Sequence, residues 1–234
     1  MSEFPGRPGD PVPVLIDVSP YRLSGVVYGA LLNHRTALLE LGEAATRAPY
    51  NAVPQAPVLY LKPRNTLAGD GDPVVVPAGT AELEVGACLG LVIGRPACRL
   101  KEDRALESLA GYLIVNDVSI PHQPYFRPSI SAKARDGFCP LGRFVPRSAI
   151  ADPDALEIRV LIDGQLRLSA STAQLVRPVG RLLADVTEFM TLSPGDVLAV
   201  GAAAPAPRVR ASQRAAIEIP GLGRLETPFV AEPA

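Results

Sequence analysis

Glycine and proline interrupt the apolar segments of this chain at short intervals, and this spacing limits the chain to short secondary-structure elements. The 234 residues include 20 glycines and 25 prolines, which is more than average usage gives. A chain of this kind makes many turns, which is typical of β-rich folds and argues against a helical bundle. The length is sufficient for one sizeable hydrophobic core.

The apolar runs between these turns predict strands. Residues 24–32 predict a strand buried on both faces, and residues 82–93, closed by Gly94, predict a central strand. The pair Asp163-Gly164 predicts a type I′ hairpin between residues 156–162 and 165–169. Further strands are predicted at residues 12–16, 58–61, 112–115, 137–145, 196–200, 214–219 and 223–230.

Helices are predicted in three places. Asn33 is a suitable N-cap for a helix over residues 36–41 that ends at Gly42, and residues 102–109 form a second, short candidate. A third helix begins at Pro178 and carries an apolar face that covers a sheet, formed by Val179, Leu182, Leu183, Val186, Phe189 and Met190. Residues 63–77 are predicted to be a loop with its turn at residues 70–73.

The domain organisation follows from the absence of any internal repeat or linker. Residues 1–10 are polar and rich in proline and glycine, so we expect a loose tail. We expect residues 11–234 to form a single β-rich α+β domain, in which residues 11–55 could be a small amino-terminal subdomain or lid.

Charge and cysteine content exclude several classes of function. The formal net charge is −1, so the chain has no field that would attract nucleic acid or an anionic membrane. The three cysteines lack metal-type spacing and are odd in number, which argues against a zinc site or a disulfide framework. There is no signal-peptide pattern and no apolar run of about 18 residues. We therefore expect a cytoplasmic protein.

Residues 111–145 contain the most unusual combination of side chains. Asp117 ends an apolar run, and Lys133 and Asp136 lie in the polar segment before the next predicted strand. A carboxylate among apolar residues needs either a charged partner or a function.

Motifs along the chain resemble those of one family. They are NHRTALLELG at residues 33–42, LKP at 61–63, LVIG at 91–94, GYLIVNDVS at 111–119, KARDGFCPLG at 133–142, PGD at 194–196 and GLGRLETPFV at 221–230. In this order they resemble the fumarylacetoacetate hydrolase family over nearly the whole chain. The resemblance implies a mixed β-roll or barrel-like sheet with a few covering helices. It also implies chemistry on small oxo-acids with Mg²⁺ or Mn²⁺.

The metal site that the resemblance implies is incomplete in this chain. The family holds its cation with three carboxylates, and Asp117 matches one of them, whereas Gly86 and Cys88 stand at the other two positions. Glycine has no side chain, and a thiolate is a poor ligand for a hard cation. Glu82 and Glu84 lie four residues earlier, which displaces them by roughly 13 Å along a strand. We therefore interpret them as solvated glutamates, and Cys88 as a small core residue.

The lid motif of the family is also altered. Its histidine–glutamate pair, which handles protons or water, corresponds here to Ala37 and Glu40, so hydrolysis is the least favoured reaction. His34 is better explained as a packing or surface residue. At the segment that holds substrate carboxylate in the family, this chain has Ala202 and Ala203, which removes a hydroxyl donor.

The resemblance implies catalytic and substrate-binding roles for specific residues. Glu40, Asp117 and Lys133 are the catalytic candidates, with Asp117 as the lone matching metal ligand. The candidates for substrate binding are Lys62, Arg64 and Arg127, because cationic side chains hold carboxylates well. The alternative for Lys133 and Asp117 is an ion pair that organises loops, and we favour that kind of role for Arg135 and Asp136.

Three hypotheses for the function remain open. Residues 62–77 and 116–142 are most similar to a subgroup that acts in 4-hydroxyphenylacetate breakdown. The first hypothesis is thus a subunit of a 5-oxopent-3-ene-1,2,5-tricarboxylate decarboxylase and 2-hydroxyhepta-2,4-diene-1,7-dioate isomerase. It would act on an oxo-dicarboxylate as a homo-oligomer, or with a homologous metal-binding subunit. The second is a metal-free isomerase in which Glu40 or Lys133 moves the proton of a dienol. The third is a non-catalytic structural paralogue.

Overall fold

The computed structural model describes residues 25–122 and 129–233. The predicted tail at residues 1–10, the predicted strand at 12–16 and the candidate Arg127 lie outside these ranges. The strands, labelled β1 to β15, are Val27–Leu31, Val58–Lys62, Leu67–Ala68, Val74–Val76, Leu83–Glu84, Ala87–Ile93, Leu109–Asn116, Cys139–Pro140, Val145–Pro146, Glu157–Ile162, Gln165–Ser171, Val197–Ala199, Arg208–Val209, Arg214–Ile219 and Gly223–Ala231. The helices α1 to α3 are Arg35–Leu41, Ile130–Lys133 and Val179–Phe189, and 3₁₀ helices cover Gly42–Thr46, Arg64–Thr66, Glu102–Ser108, Arg147–Ala149 and Thr172–Gln174.

Two sheets and two ribbons account for these strands. The larger sheet has six strands in the order β2-β1-β12-β6-β7-β9, and the smaller has five in the order β11-β10-β14-β15-β4. The ribbons pair β13 with β5 and β3 with β8. In the larger sheet β1 and β12 are parallel, whereas β6 is antiparallel to both β12 and β7. Both strand orders are open, which confirms the predicted β-rich α+β class in a roll-like rather than a closed form.

Strand β6 lies inside the larger sheet and separates two layers of the core. Its sequence, ACLGLVI, has no charged residue, and all seven residues are buried. Because side chains alternate along a strand, Leu89 and Leu91 join the main core with Ile217 of β14, whereas Cys88 and Val92 face a smaller cluster. Burial of such apolar side chains contributes about 1.5–3 kcal/mol each.

The strand predicted at residues 82–93 is two strands with different partners. Strand β5 pairs with β13, and the Val85 amide donates to the carbonyl of Pro207. Strand β6 begins two residues later and pairs with β7 and β12. The change of partner occurs at Val85 and Gly86, within one apolar run, so the hydrophobic pattern does not reveal it.

Two other predictions were too simple. The predicted loop at residues 63–77 contains a 3₁₀ turn and the short strands β3 and β4. The predicted strand at residues 137–145 is reduced to the two-residue strands β8 and β9. Strands of two or three residues are too short to produce a recognisable alternation of polar and apolar side chains.

The predicted hairpin is confirmed. Asp163 and Gly164 have φ angles of 49° and 79°, as a type I′ turn requires, and they join β10 to β11. The remaining predicted strands at residues 58–61, 196–200, 214–219 and 223–230 correspond to β2, β12, β14 and β15.

Helix α3 follows Pro178, as predicted, and buries Val179, Leu182, Leu183 and Val186. Phe189 does not share this buried face, because it is the last helical residue and its side chain is 66% exposed. Its predicted place in the core was therefore wrong. Among residues 25–122 and 129–233, no helix combines the length and apolar character needed to cross a membrane.

Candidate functional site

Asp117 follows β7 directly, at the point where the chain leaves the larger sheet. Ala87 of β6 lies opposite Asn116, and the Asp117 amide then donates to the carbonyl of Gly86 over 2.9 Å. The next amide, of Val118, donates to the carbonyl of Phe138 over 3.1 Å. The Asp117 carboxylate is thus fixed at the ends of two buried strands.

This carboxylate lies beside a cavity of about 380 Å³. That volume is within the range of small-molecule sites. The charged residues that line it are Glu40, Glu84, Asp117, Lys133 and Arg208. Ala202 and Ala203 also line it, so the substitution of hydroxyl side chains noted above leaves an apolar surface there.

Asp117 is the centre of a buried ion cluster. Its Oδ1 lies 2.7 Å from Nζ of Lys62, and its Oδ2 lies 2.6 Å from Nζ of Lys133. The hydroxyl of Tyr60 also donates to Oδ2 over 2.5 Å. The side chains of Lys62 and Asp117 are 1% and 8% exposed, so these charges interact with little screening by water. The predicted ion pair between Lys133 and Asp117 is therefore present, and Lys62 extends it.

The cluster shifts the pKa values of its members. Burial by itself would raise the pKa of Asp117, but the charges and hydrogen bonds of Lys133 and Lys62 hold it well below its ordinary value. Burial lowers the pKa of Lys62, and the charge of Asp117 opposes that shift. Burial, followed by the charge of Asp117, raises the pKa of Tyr60 well above its ordinary value. Asp117 is thus an anion in the folded protein at neutral pH.

Tyr60 is a site residue that the sequence did not reveal. It occurs within the apolar strand β2, where an aromatic residue is ordinarily explained by packing. Its ring lies in front of Gly29 of β1, and a Cβ at that position would be 2.0 Å from Cζ of the ring. The ring centroid lies 4.7 Å from Nζ of Lys133, which permits a cation–π contact. Gly29 and Tyr60 are paired across β1 and β2, and no local sequence pattern shows this register.

The residues present do not fit a divalent metal. Gly86 offers no ligand, and even a Cβ there would lie 2.5 Å from the carbonyl oxygen of Asp117. Cys88 is fully buried, and burial raises the pKa of its thiol, so it is not a thiolate. Both carboxylate oxygens of Asp117 already contact ammonium groups. Within residues 25–122 and 129–233, no group of three or more His, Cys, Asp or Glu side chains could hold a metal ion.

Glu82 and Glu84 have different environments, although both lie at the β5–β13 ribbon. Oε1 of Glu82 lies 2.7 Å from Nη2 of Arg210, away from the cavity. Glu84 is partly buried in the cavity wall, with Oε1 3.8 Å from Nη2 of Arg208. Burial raises the pKa of Glu84, and the charges of Arg208 and Lys133 oppose the shift. The interpretation of both residues as solvated glutamates therefore misses the position of Glu84.

Helix α1 covers one side of the cavity with Ala37 and Glu40, so the predicted lid candidate Glu40 lies beside it. The helix begins at Arg35 and ends before Gly42, close to the prediction. Its N-cap is His34 rather than Asn33, because Nδ1 of His34 accepts from the Thr36 amide. His34 is 2% exposed, in agreement with a packing role.

We expect acid to weaken this anchor of α1. Burial lowers the pKa of His34 below its ordinary value of 6.5, so the unfolded chain binds a proton at a higher pH than the folded chain does. The free energy of unfolding should therefore decrease as the pH falls from about 7 to about 5. In His34→Asn, which keeps a favourable N-cap, this part of the decrease should be absent. Urea unfolding at both pH values measures the difference, and equal decreases in the two proteins would contradict it.

The other candidates lie around this centre. Lys62 is buried against Asp117 and does not line the cavity. Arg64 is exposed and also does not line it. Arg135 donates to the carbonyl of Ser131, and Asp136 accepts from Asn65, so within the described part of the chain both make loop hydrogen bonds instead of the ion pairs expected for them.

Comparison with known proteins identifies the family. The family model described as "Fumarylacetoacetate (FAA) hydrolase C-terminal" matches residues 26–230. The "4-hydroxyphenylacetate degradation bifunctional isomerase/decarboxylase" of Salmonella dublin is 40% identical over 210 residues, which are 90% of this chain and 48% of that protein. The chain therefore spans about half the length of this curated relative.

Solved structures support the same assignment. The 5-carboxymethyl-2-hydroxymuconate delta-isomerase of Mycobacterium smegmatis is 31% identical, with a TM-score of 0.77 over 91% of this chain and 81% of that one. A maleylpyruvate hydrolase from Sphingobium sp. SYK-6, solved with manganese(II) and pyruvate, shares the fold at 24% identity, with a TM-score of 0.73 over 89% of this chain and 71% of that one. This chain belongs to the fumarylacetoacetate hydrolase family.

Proposed function

We propose that this chain is a subunit of an isomerase/decarboxylase of 4-hydroxyphenylacetate breakdown. In this proposal it acts together with a homologous subunit that holds the metal. The reactions are those of 5-oxopent-3-ene-1,2,5-tricarboxylate decarboxylase and 2-hydroxyhepta-2,4-diene-1,7-dioate isomerase. The observation that carries the proposal is the site itself. The carboxylate at the family's metal position is held by two lysines, and the other two ligand positions are Gly86 and Cys88.

The chemistry explains why a partner is needed. Decarboxylation next to an oxo group produces an enolate, which a divalent cation stabilises as a Lewis acid. The cavity supplies ammonium, guanidinium and carboxylate groups, but within residues 25–122 and 129–233 no group of three or more His, Cys, Asp or Glu side chains could hold that cation. The matched relative is about twice as long as the aligned segment, which leaves room there for a second domain in the same polypeptide.

Reconstitution tests this proposal. The chain is purified alone, its homologous metal-binding subunit is purified alone, and the two are mixed. We expect CO₂ release from the tricarboxylate and isomerisation of the dienol product to be Mg²⁺-dependent and highest in the mixture. Full Mg²⁺-dependent turnover by the isolated chain would remove the need for a partner.

A second candidate, metal-free isomerisation, is favoured by the position of Glu84. A carboxyl group whose pKa is raised by burial is suited to proton transfer, and Glu84 lines the same cavity as Lys133 and Glu40. Under this candidate the isolated chain isomerises the dienol in the presence of EDTA. Glu84→Gln should then lower the rate by about 10²–10⁴-fold. Glu82→Gln, on the same ribbon but outside the cavity, is the matched control, and loss of activity on addition of EDTA would count against the candidate.

A further inference from the structure

The two lysines of the ion cluster differ in how many of their hydrogen-bond donors are used. Nζ of Lys62 donates to the carbonyls of Val118, Lys133 and Phe138 over 2.8, 3.0 and 2.8 Å, so its three N–H groups are engaged. Nζ of Lys133 makes one hydrogen bond within the described part of the chain, to Oδ2 of Asp117. Among the described residues, two of its donors are therefore not engaged.

The available donors of Lys133 face the cavity. The side chain of Lys133 is 11% exposed, and the residue lines the cavity, whereas Lys62 does not. The ring of Tyr60 lies 4.7 Å from Nζ and restricts its position from one side. An anion that enters the cavity can thus reach Lys133 while the contact with Asp117 is kept.

The charges of the cluster do not balance. Two ammonium groups surround one carboxylate, which leaves an excess of one positive charge within the cluster itself. Glu40 and Glu84 line the same cavity, and the charge of Lys133 acts on Glu84, but within residues 25–122 and 129–233 no direct ion pair joins either carboxylate to Lys133. An excess buried charge is costly, and an anionic ligand would offset it.

We propose that the cavity binds the carboxylate of a small oxo-acid or dicarboxylate directly on Lys133, without a divalent cation. The ammonium group takes the part that a metal ion takes elsewhere in the family, at a site whose residues do not fit a metal. Arg208 lies at the cavity wall, where its guanidinium group is within 3.8 Å of Glu84. The proposal goes beyond the proposed function because it concerns the isolated chain, whether or not a partner supplies turnover.

Isothermal titration with oxalate and with glutarate, on the isolated full chain in EDTA, tests the inference. We expect one site per chain and no change in affinity when Mg²⁺ replaces EDTA. Lys133→Met should weaken binding by about 10- to 100-fold, because it removes a charged hydrogen-bond donor. Lys101→Met changes an exposed lysine outside the cavity and should bind as the parent chain does.

A second variant tests the inference independently, in case Lys133→Met does not fold. Ala37→Phe places a large side chain in the cavity from α1 and leaves every residue of the ion cluster unchanged, so it should also weaken binding. Binding that appears only with Mg²⁺ or Mn²⁺, undiminished binding by a folded Lys133→Met, or no binding of either probe would overturn the inference. None of these results depends on the partner subunit, so they can be separated from failure of the reconstitution.

Discussion

Asp117→Asn is expected to lower the free energy of unfolding by about 3–5 kcal/mol. The substitution removes the carboxylate that lies 2.7 Å from Nζ of Lys62 and 2.6 Å from Nζ of Lys133. Two ammonium groups would then remain buried side by side without a counter-charge. Urea denaturation followed by circular dichroism at neutral pH measures the change.

The matched control for this variant is Asp136→Asn. Asp136 is an exposed aspartate that accepts a hydrogen bond from Asn65. We therefore expect its free energy of unfolding to change by less than about 1 kcal/mol. A loss below about 1 kcal/mol in Asp117→Asn would mean that the two lysines do not depend on this carboxylate.

Lys62→Met should be destabilising to a similar degree, about 3–5 kcal/mol, for a different reason. Lys62 is 2% exposed, and its ammonium group donates to three backbone carbonyls besides pairing with Asp117. Methionine is an unbranched side chain one atom shorter than lysine and provides no donor, so these carbonyls lose a hydrogen bond that water cannot easily replace. Equilibrium unfolding of the variant measures the loss.

Lys101→Met provides the comparison for Lys62→Met, because it makes the same chemical change at an exposed position. We expect its stability to stay within about 0.5 kcal/mol of the parent chain. If both variants were equally stable, Lys62 would be free to act in substrate binding, as the sequence suggested. If only Lys62→Met loses stability, its role is to hold Asp117 and the surrounding loops in place.

Local patterns predicted much of the fold. The hairpin at Asp163-Gly164 was predictable because only a few residue types adopt two successive positive φ angles. The helix after Pro178 was predictable from its spacing of apolar residues. The division of residues 82–93 was not, because it depends on which distant strand each part pairs with. The exposure of Phe189 likewise depends on which distant residues pack against the last turn of the helix.

The site was predictable in part. Asp117 and Lys133 were identified from their motif, and their ion pair was one of two alternatives for them. The involvement of Lys62 and Tyr60 depends on the position of β2 relative to the end of β7, which no local pattern contains. The place of Glu84 in the cavity wall was missed because it lies four residues before the family's ligand position, which argued against metal binding. That separation does not prevent Glu84 from lining the cavity.

The ion cluster also has a consequence for the curvature of the larger sheet. Strands β2 and β7 are four strand spacings apart in the order β2-β1-β12-β6-β7, which would be about 19 Å in a flat sheet. Yet side chains of β2 contact Asp117, and Tyr60 reaches it by passing over Gly29, where no side chain obstructs it. The sheet must therefore curl strongly. The ion cluster links the two sides of the curled sheet, so ion pairs as well as strand hydrogen bonds stabilise the roll at this point.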